Sequence, residues 1–96
     1  MEKSERMKIH LAHILVKHRF EAEDILRQIQ NGKNFKDLAM MYSTCSSAKN
    51  GGDLGLIEIK RFDEDFAEAA ISIKENEISN PVRTRFGYHL ILRLSN

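Results

Sequence analysis

Two histidines and a cysteine are the residues of this chain whose types suggest chemistry. His13 lies in the apolar run IHLAHILV, and His89 lies in the apolar run RFGYHLILRL. The single cysteine, Cys45, lies in STCSSAKNGGDLG, a segment of small and turn-forming residues. Imidazole and thiol groups can bind a metal, form a nucleophile and its base, or build a hydrogen-bonded network. Taken singly, each is more often a core residue than a catalyst.

The sequence does not support these three chemistries equally. A zinc site is weakly supported, because no CxxC or HExxH motif supplies a local pair of ligands. A Cys–His nucleophile requires only spatial proximity, but the motifs of the known families of such hydrolases are absent. Two buried imidazoles have four ring nitrogens that need partners, and the simplest solution is for the rings to bond each other and a hydroxyl. Thr84, near the final turn, is a candidate for that hydroxyl.

The two histidine-bearing runs are predicted to be strands. Because side chains alternate along a strand, His13 shares a face with Leu11 and Leu15, and His89 shares a face with Ile91. The opposite face of each run is also apolar. We therefore expect both histidines to lie on a covered face of a sheet.

Three further stretches have the apolar spacing of helices. The first is FEAEDILRQIQNG, with Gly32 as its C-cap, the second begins after an Asn34 N-cap, and the third begins after an Asp63 N-cap. Their predicted core faces are Ala22, Ile25, Leu26 and Ile29; Phe35, Leu38, Ala39 and Tyr42; and Phe66, Ala69, Ala70 and Ile73.

The remaining segments connect these elements. Residues 43–55 are predicted to be irregular backbone that leads into a short strand near 53–59. GGDLG lacks the GK[ST] of a phosphate loop, so we interpret it as a turn that lets strand backbones pack closely. Thr84 to Phe86 is predicted to be a tight hairpin turn. The order of elements favours an α+β fold with a small, mainly antiparallel sheet.

Length and composition limit the class of protein. A chain of 96 residues has room for one domain, and we expect residues 1–7 to be a flexible extension. With 42% hydrophobic residues, 30% charged residues and a net charge of +1, the chain is predicted to be a soluble monomer without a nucleic-acid partner. Four basic residues are nevertheless candidates to converge in the fold: Lys60, Arg61, Arg83 and Arg85. The single cysteine and the absence of a signal or spanning segment predict a cytoplasmic location and no membrane partner.

Three sequence blocks resemble the signature blocks of parvulin-type peptidyl-prolyl isomerases. They are HILVK at 13–17, CSSAKNGGDLG at 45–55 and TRFGYHLI at 84–91, and their order and spacing match from about Lys8 to Leu94. The resemblance implies a four-stranded, mainly antiparallel sheet surrounded by about four helices. It also implies an enzyme that accelerates rotation of X-Pro bonds in client segments containing proline, with no cofactor and no metal.

The resemblance also implies roles for individual residues. By position, His13, His89 and Thr84 would form the hydrogen-bonded network of the family, and Cys45 would lie beside the rotating peptide bond. The proline pocket would be built by aromatic and aliphatic residues: Leu54, Phe62 and Phe66, with Phe86 at its edge. A binding module or holdase that keeps this groove without turnover is the alternative function, and a Cys–His hydrolase ranks well behind it.

The chain departs from the family pattern in two places. Phe62 stands where many parvulins have methionine, and Glu64 stands where proline is usual, so we expect a bulkier pocket and a more acidic rim. The acids at 63–65 are interpreted as helix-start residues, with a preference for cationic substrates as the alternative. Only the residues 17–19 separate the first strand from the first helix, where phosphoserine-directed parvulins carry a long basic loop. We therefore predict no marked phosphoserine preference.

Overall fold

The computed structural model describes residues 8–95 as four strands with helices on both faces of their sheet. The elements are β1 (Lys8–Val16), α1 (Arg19–Gln30), α2 (Phe35–Tyr42), β2 (Asp53–Glu58), α3 (Glu64–Ser72), β3 (Val82–Thr84) and β4 (Gly87–Arg93), with 3-10 helices at Ser46–Asn50 and Ile59–Arg61. This order confirms the predicted succession of strands and helices. The extension predicted for residues 1–7 lies outside the described residues.

The sheet is antiparallel throughout and places the two histidine-bearing strands side by side. Its strand order is β2-β1-β4-β3, so β1 and β4 are the central strands. In their register, His13 pairs with Ile91 and Leu15 pairs with His89. The two histidines are therefore diagonal neighbours on one face of the sheet.

Each face of the sheet has its own hydrophobic core. The face covered by α1 and α2 buries Ile14, Val16, Ala22, Ile25, Leu38, Ala39 and Leu90. The face covered by α3 buries Ile9, Leu11, Ile59, Phe66, Ala70 and Ile91. His13 and His89 lie on the α3 face, and each side chain is 4% exposed. The predicted burial of both histidines is confirmed.

The helix boundaries mostly follow the predicted caps. The Asn34 side chain accepts the Asp37 backbone N–H at 3.0 Å, as expected of an N-cap. The C-cap of α1 is Asn31, one position before the predicted cap Gly32, which follows it with a φ of +99°. None of the helices within residues 8–95 has the length and apolar character needed to cross a bilayer.

The prediction that Tyr42 faces the core is wrong. Tyr42 is the last residue of α2 and is 45% exposed. After it the chain turns toward β1, where the Ser43 hydroxyl accepts the Leu15 N–H at 3.0 Å and the Thr44 N–H donates to the Leu15 carbonyl at 2.8 Å. The helix therefore ends before this position can be covered.

Gly52 holds the loop before β2 against β1. Its carbonyl accepts the His13 N–H at 2.9 Å, and its φ is +83°. A Cβ atom at this position would overlap the carbonyl oxygen of His13. The predicted close approach of backbones at GGDLG is thus confirmed, and the contact helps to fix the strand that carries His13.

Candidate functional site

The side chains of His13 and His89 form a buried, hydrogen-bonded pair. Their Nδ1 atoms lie 3.0 Å apart, and their ring centroids are 5.2 Å apart. The pair is possible because the β1–β4 register places the two residues one diagonal step apart on the same face. The sequence predicted that the rings would bond each other, and the structure places them in this way.

Thr84 extends the pair into a chain of three polar side chains. Its hydroxyl lies 2.7 Å from Nε2 of His89 and also accepts the Phe86 N–H at 3.2 Å. The β3–β4 hairpin makes this contact possible, and Gly87 closes the hairpin with a φ of +137°. Because β4 begins at Gly87, Phe86 lies in the turn, which confirms the hairpin predicted at Thr84 to Phe86 and shortens the strand suggested by the apolar run.

Protons can be arranged along this chain in two ways. A neutral imidazole has one donor and one acceptor nitrogen, so the hydrogen bonds of His89 must run in one direction. Either Thr84 donates to His89 and His89 donates to His13, or both donations are reversed. Nε2 of His13 is buried and has no hydrogen-bond partner among residues 8–95. The three side chains therefore act as a unit, because a proton shift at one ring requires a shift at the other.

Burial keeps both imidazoles neutral at physiological pH. Loss of solvent, together with the neighbouring His89, lowers the pKa of His13 to about 4. Burial also lowers the pKa of His89 to about 4, with Asp63 acting weakly in the opposite direction. The site therefore presents neutral hydrogen-bonding groups, not a charged pair, beneath its aromatic wall.

An aromatic cavity of about 230 Å³ lies over this chain. The Phe66 ring meets the His89 ring edge-on at a centroid distance of 5.1 Å, and the Phe62 ring stacks on Phe66 at 4.9 Å. The lining side chains are Arg61, Phe62, Asp63, Phe66, Thr84, Arg85, Phe86 and His89. An apolar wall with a few polar groups at its floor is typical of a ligand pocket, and it suits a small apolar ring.

Two predicted site residues, Cys45 and Leu54, are not among the side chains that line this cavity. Cys45 is half-buried, and its backbone N–H donates to the Ser43 hydroxyl at 3.4 Å, the same hydroxyl that bonds Leu15. Since Leu15 pairs with His89, this hydroxyl ties the segment of Cys45 to the histidine pair through the backbone. Leu54 packs against the core cluster that contains Phe66.

Two charged residues at the mouth of the cavity were not predicted as site residues. The Arg85 guanidinium lies 3.5 Å from the Asp63 carboxylate and 5.0 Å from the centre of the Phe86 ring. Arg85 is one of the four basic residues named from the sequence as candidates to converge, and it lines the cavity together with Arg61. Within residues 8–95, no group of three His, Cys, Asp or Glu side chains is placed to hold a metal ion.

Comparison with known proteins places the chain in a family. The model of the Rotamase, PPIC-type PPIASE domain matches residues 13–95. Foldase protein PrsA of Bacillus subtilis (strain 168) is 46% identical over 85 residues, which are 88% of this chain and 29% of the relative. The crystal structure of PrsA from Bacillus subtilis has a TM-score of 0.90 and 43% identity, over 94% of this chain and 36% of that chain. The solution structure of NmPin, the parvulin of Nitrosopumilus maritimus, has a TM-score of 0.82 and 37% identity, over 92% of this chain and 96% of that chain.

The chain therefore belongs to the PPIC-type family of peptidyl-prolyl cis-trans isomerases, the parvulins. The predicted resemblance, the four-stranded fold and the isomerase class are confirmed. The chain spans between 26% and 33% of the length of curated relatives named foldase protein PrsA.

Proposed function

We propose that this domain rotates X-Pro bonds in unfolded or flexible segments of client proteins, by a noncovalent mechanism. One observation carries the proposal: the hydrogen-bonded chain of His13, His89 and Thr84 lies directly beneath an aromatic cavity. An apolar wall can hold a proline ring, and the polar floor lies next to the place where the adjoining peptide bond would turn.

The reaction requires a change of environment around one bond and no bond cleavage. Peptide bond rotation has a barrier of about 18 to 20 kcal/mol because amide resonance is lost at the midpoint. In that twisted state the carbonyl is less polarised and the proline nitrogen is more basic. A cavity that grips the ring and excludes water stabilises the twisted state relative to the planar ones.

The neutral histidine chain would act as a fixed set of dipoles in this mechanism. His89 is neutral at pH 7 and already satisfied on both nitrogens, so it neither needs nor supplies a proton during rotation. Preorganised dipoles of this kind cost no reorganisation when charge shifts during the reaction. Cys45 would contribute a polar contact near the carbonyl, and Leu54 would support the cavity wall from behind.

We propose no marked preference for phosphoserine before proline. The connection between β1 and α1 consists of Lys17 and His18 alone, and Arg19, the first residue of α1, already forms an ion pair with Glu23 at 3.0 Å. His18 is stacked on Phe20 at a centroid distance of 5.3 Å. A phosphate clamp generally uses several converging guanidinium groups, and Arg19 is the only arginine among residues 17–19.

A binding module or holdase is the second candidate, and the packing of Phe62 favours it. The stack of Phe62 on Phe66 makes the wall bulkier than a methionine would. Such a pocket could bind proline segments and turn them over slowly. Binding occurs in both cases, so only catalysed exchange separates the two functions.

The test is NMR exchange spectroscopy on short X-Pro peptides, with X as Ala, Leu, Lys, Glu or phosphoserine. A catalytic amount of protein is expected to accelerate cis-trans exchange, with phosphoserine giving no large gain over Glu. Line broadening without faster exchange would support the holdase, and a large gain with phosphoserine would overturn the stated specificity.

Two exposed phenylalanines provide a matched pair of variants for this test. Phe86 lines the cavity and is 61% exposed, whereas Phe20 is 68% exposed on α1. Because neither ring is part of the core, both alanine variants are expected to fold. Phe86→Ala should reduce catalysed exchange severalfold and Phe20→Ala should not. Equal effects of the two variants would contradict the location of the site.

The cytoplasmic location and the monomeric state stay predictions from composition. Fractionation of cells that produce the native protein tests the location. Sedimentation equilibrium tests the monomer.

A further inference from the structure

The carboxylate of Asp63 does not cap α3, although its position in the sequence predicts an N-cap. Asp63 is the N-cap residue of α3, but its side chain makes no capping hydrogen bond. It lies instead 3.5 Å from Nη2 of Arg85, across the mouth of the cavity. The interpretation as helix-start acids therefore suits Glu64 and Asp65, which lie in the first turn, and does not explain Asp63.

The Arg85 guanidinium occupies a site with two different cation-binding partners. One is the Asp63 carboxylate, and the other is the face of the Phe86 ring, 5.0 Å from the guanidinium carbon. Carboxylates and aromatic faces both bind cations in proteins. Asp63, Arg85 and Phe86 all line the cavity that would hold the proline ring.

Arg85 is the replaceable member of this site. Its side chain is 75% exposed, whereas that of Asp63 is 24% exposed. An exposed ion pair of this kind contributes little to stability, so another cation can displace Arg85 at little cost. Asp63 stays in place because it is anchored at the start of α3.

We propose that Asp63 and Phe86 form a cation subsite, which Arg85 fills in the free domain and a lysine or arginine next to the substrate proline fills in the complex. This inference rests on the proposed function, because it names a substrate preference of the same groove. A second, open cavity of about 530 Å³ shares Asp63 and Arg85 with the first. Glu64 and Asp65 line it too, opposed by Arg83, so the carboxylates there outnumber the guanidinium groups.

The test compares catalysed exchange of peptides that carry Lys, Ala or Glu before or after the proline. Arg85→Gln removes the internal competitor, so the ratio of kcat/KM for Lys over Glu peptides is expected to rise about three- to tenfold. Asp63→Asn removes the anionic partner and should bring the ratio close to one. The change should appear in KM, because the subsite binds a flanking side chain and not the rotating bond.

Arg27→Gln is the matched control for the change in net charge. Arg27 forms an exposed ion pair with Asp24 at 3.2 Å on α1, on the other face of the sheet. This variant should show the same Lys to Glu ratio as the unmodified protein.

Equal turnover of Lys and Glu peptides by Arg85→Gln, with exchange of the Ala peptide intact, would overturn the cation subsite. Loss of the Lys preference at high salt would support it, because a partly exposed charge pair is screened. Failure of the unmodified protein to accelerate exchange of any peptide would instead contradict the proposed isomerase function. The two failures are therefore distinguishable.

Discussion

The Nδ1 atoms of His13 and His89 lie 3.0 Å apart although the residues are separated by 76 positions in the chain. This hydrogen bond joins the two central strands on the face that carries the aromatic cavity. The same polar groups that would shape the electric field for catalysis are therefore also structural groups, buried and dependent on each other for hydrogen bonds. Changes to them are expected to affect stability and activity together, and matched variants are needed to separate the two effects.

Thr84→Val tests the contribution of the outer hydroxyl. The substitution leaves Nε2 of His89 and the Phe86 N–H without their partner, so the free energy of unfolding should fall by about 1 to 3 kcal/mol. Urea unfolding measures the loss, and peptide exchange measures activity. Thr84→Ser keeps the hydroxyl and should retain most of the stability and most of the activity. If Val and Ser variants are equally stable, the hydroxyl does not support the histidine pair.

The two buried histidines should make the domain sensitive to acid. Burial lowers the pKa of each to about 4, whereas an unfolded histidine has a pKa near 6.5. Between these values the unfolded chain binds protons that the folded chain does not, so stability is full above about pH 6.5 and falls as the pH drops toward 4. The free energy of unfolding should fall by at most about 1.4 kcal/mol per pH unit for each histidine. A flat profile of urea midpoints across this range would contradict the neutral buried pair.

His10 has the opposite effect on the pH dependence of stability, so it provides the control for the acid sensitivity of the buried histidines. Its Nε2 lies 2.8 Å from the Asp53 carboxylate, and this hydrogen bond raises the pKa of His10. The contribution of His10 is therefore present below about pH 6.5 and is lost as the pH rises through its folded pKa. The variant His10→Gln should lose stability more steeply with acid than the unmodified protein. A shallower profile would show that the sign assigned to His10 is wrong.

The sequence predicted the elements and the covered faces because these depend on local periodicity. Alternation placed His13 and His89 on buried faces, and the polar requirements of buried rings predicted that they would bond each other. The N-cap at Asn34 was predictable for the same reason, since it requires only a side chain and a backbone N–H three residues away.

The features that the sequence did not predict depend on long-range geometry. Asp63 has the residue type of an N-cap, but its carboxylate is drawn to Arg85 because the β3–β4 hairpin brings a guanidinium within reach. Tyr42 fits the helical spacing, but whether the last turn of a helix is covered depends on where the chain turns next.

Gly52→Ala tests how far the backbone of the loop positions β1. The residue has a φ of +83°, and its new Cβ would overlap the His13 carbonyl oxygen. Gly32→Ala is the matched control, because Gly32 has a φ of +99° but nothing within 4 Å of a Cβ. In both variants alanine must adopt a positive φ, which costs about 1 to 2 kcal/mol. Only Gly52→Ala should also be destabilised by the overlap with the His13 carbonyl oxygen.

The larger destabilisation of Gly52→Ala should be visible in urea unfolding, together with a change in the chemical shifts of the His13 ring. Equal unfolding free energies for the two alanine variants would show that the loop moves away from β1 without cost. In that case the contact between Gly52 and His13 would not position the histidine.

Substitutions of Cys45 test whether the rotation is noncovalent or uses the thiol as a covalent nucleophile. If the thiol only makes a polar contact beside the rotating bond, Cys45→Asp and Cys45→Ser should retain activity within about tenfold, whereas loss of a covalent nucleophile costs roughly 10⁶-fold in enzymes that depend on one. Cys45 is half-buried and its hydrogen bonds to Ser43 and Ala48 are made by the backbone, so both variants are expected to fold. Exchange spectroscopy measures the activity, and circular dichroism checks the fold. Complete loss in both folded variants would count against the noncovalent mechanism, because a polar contact can be replaced by another polar group and a nucleophilic thiol cannot.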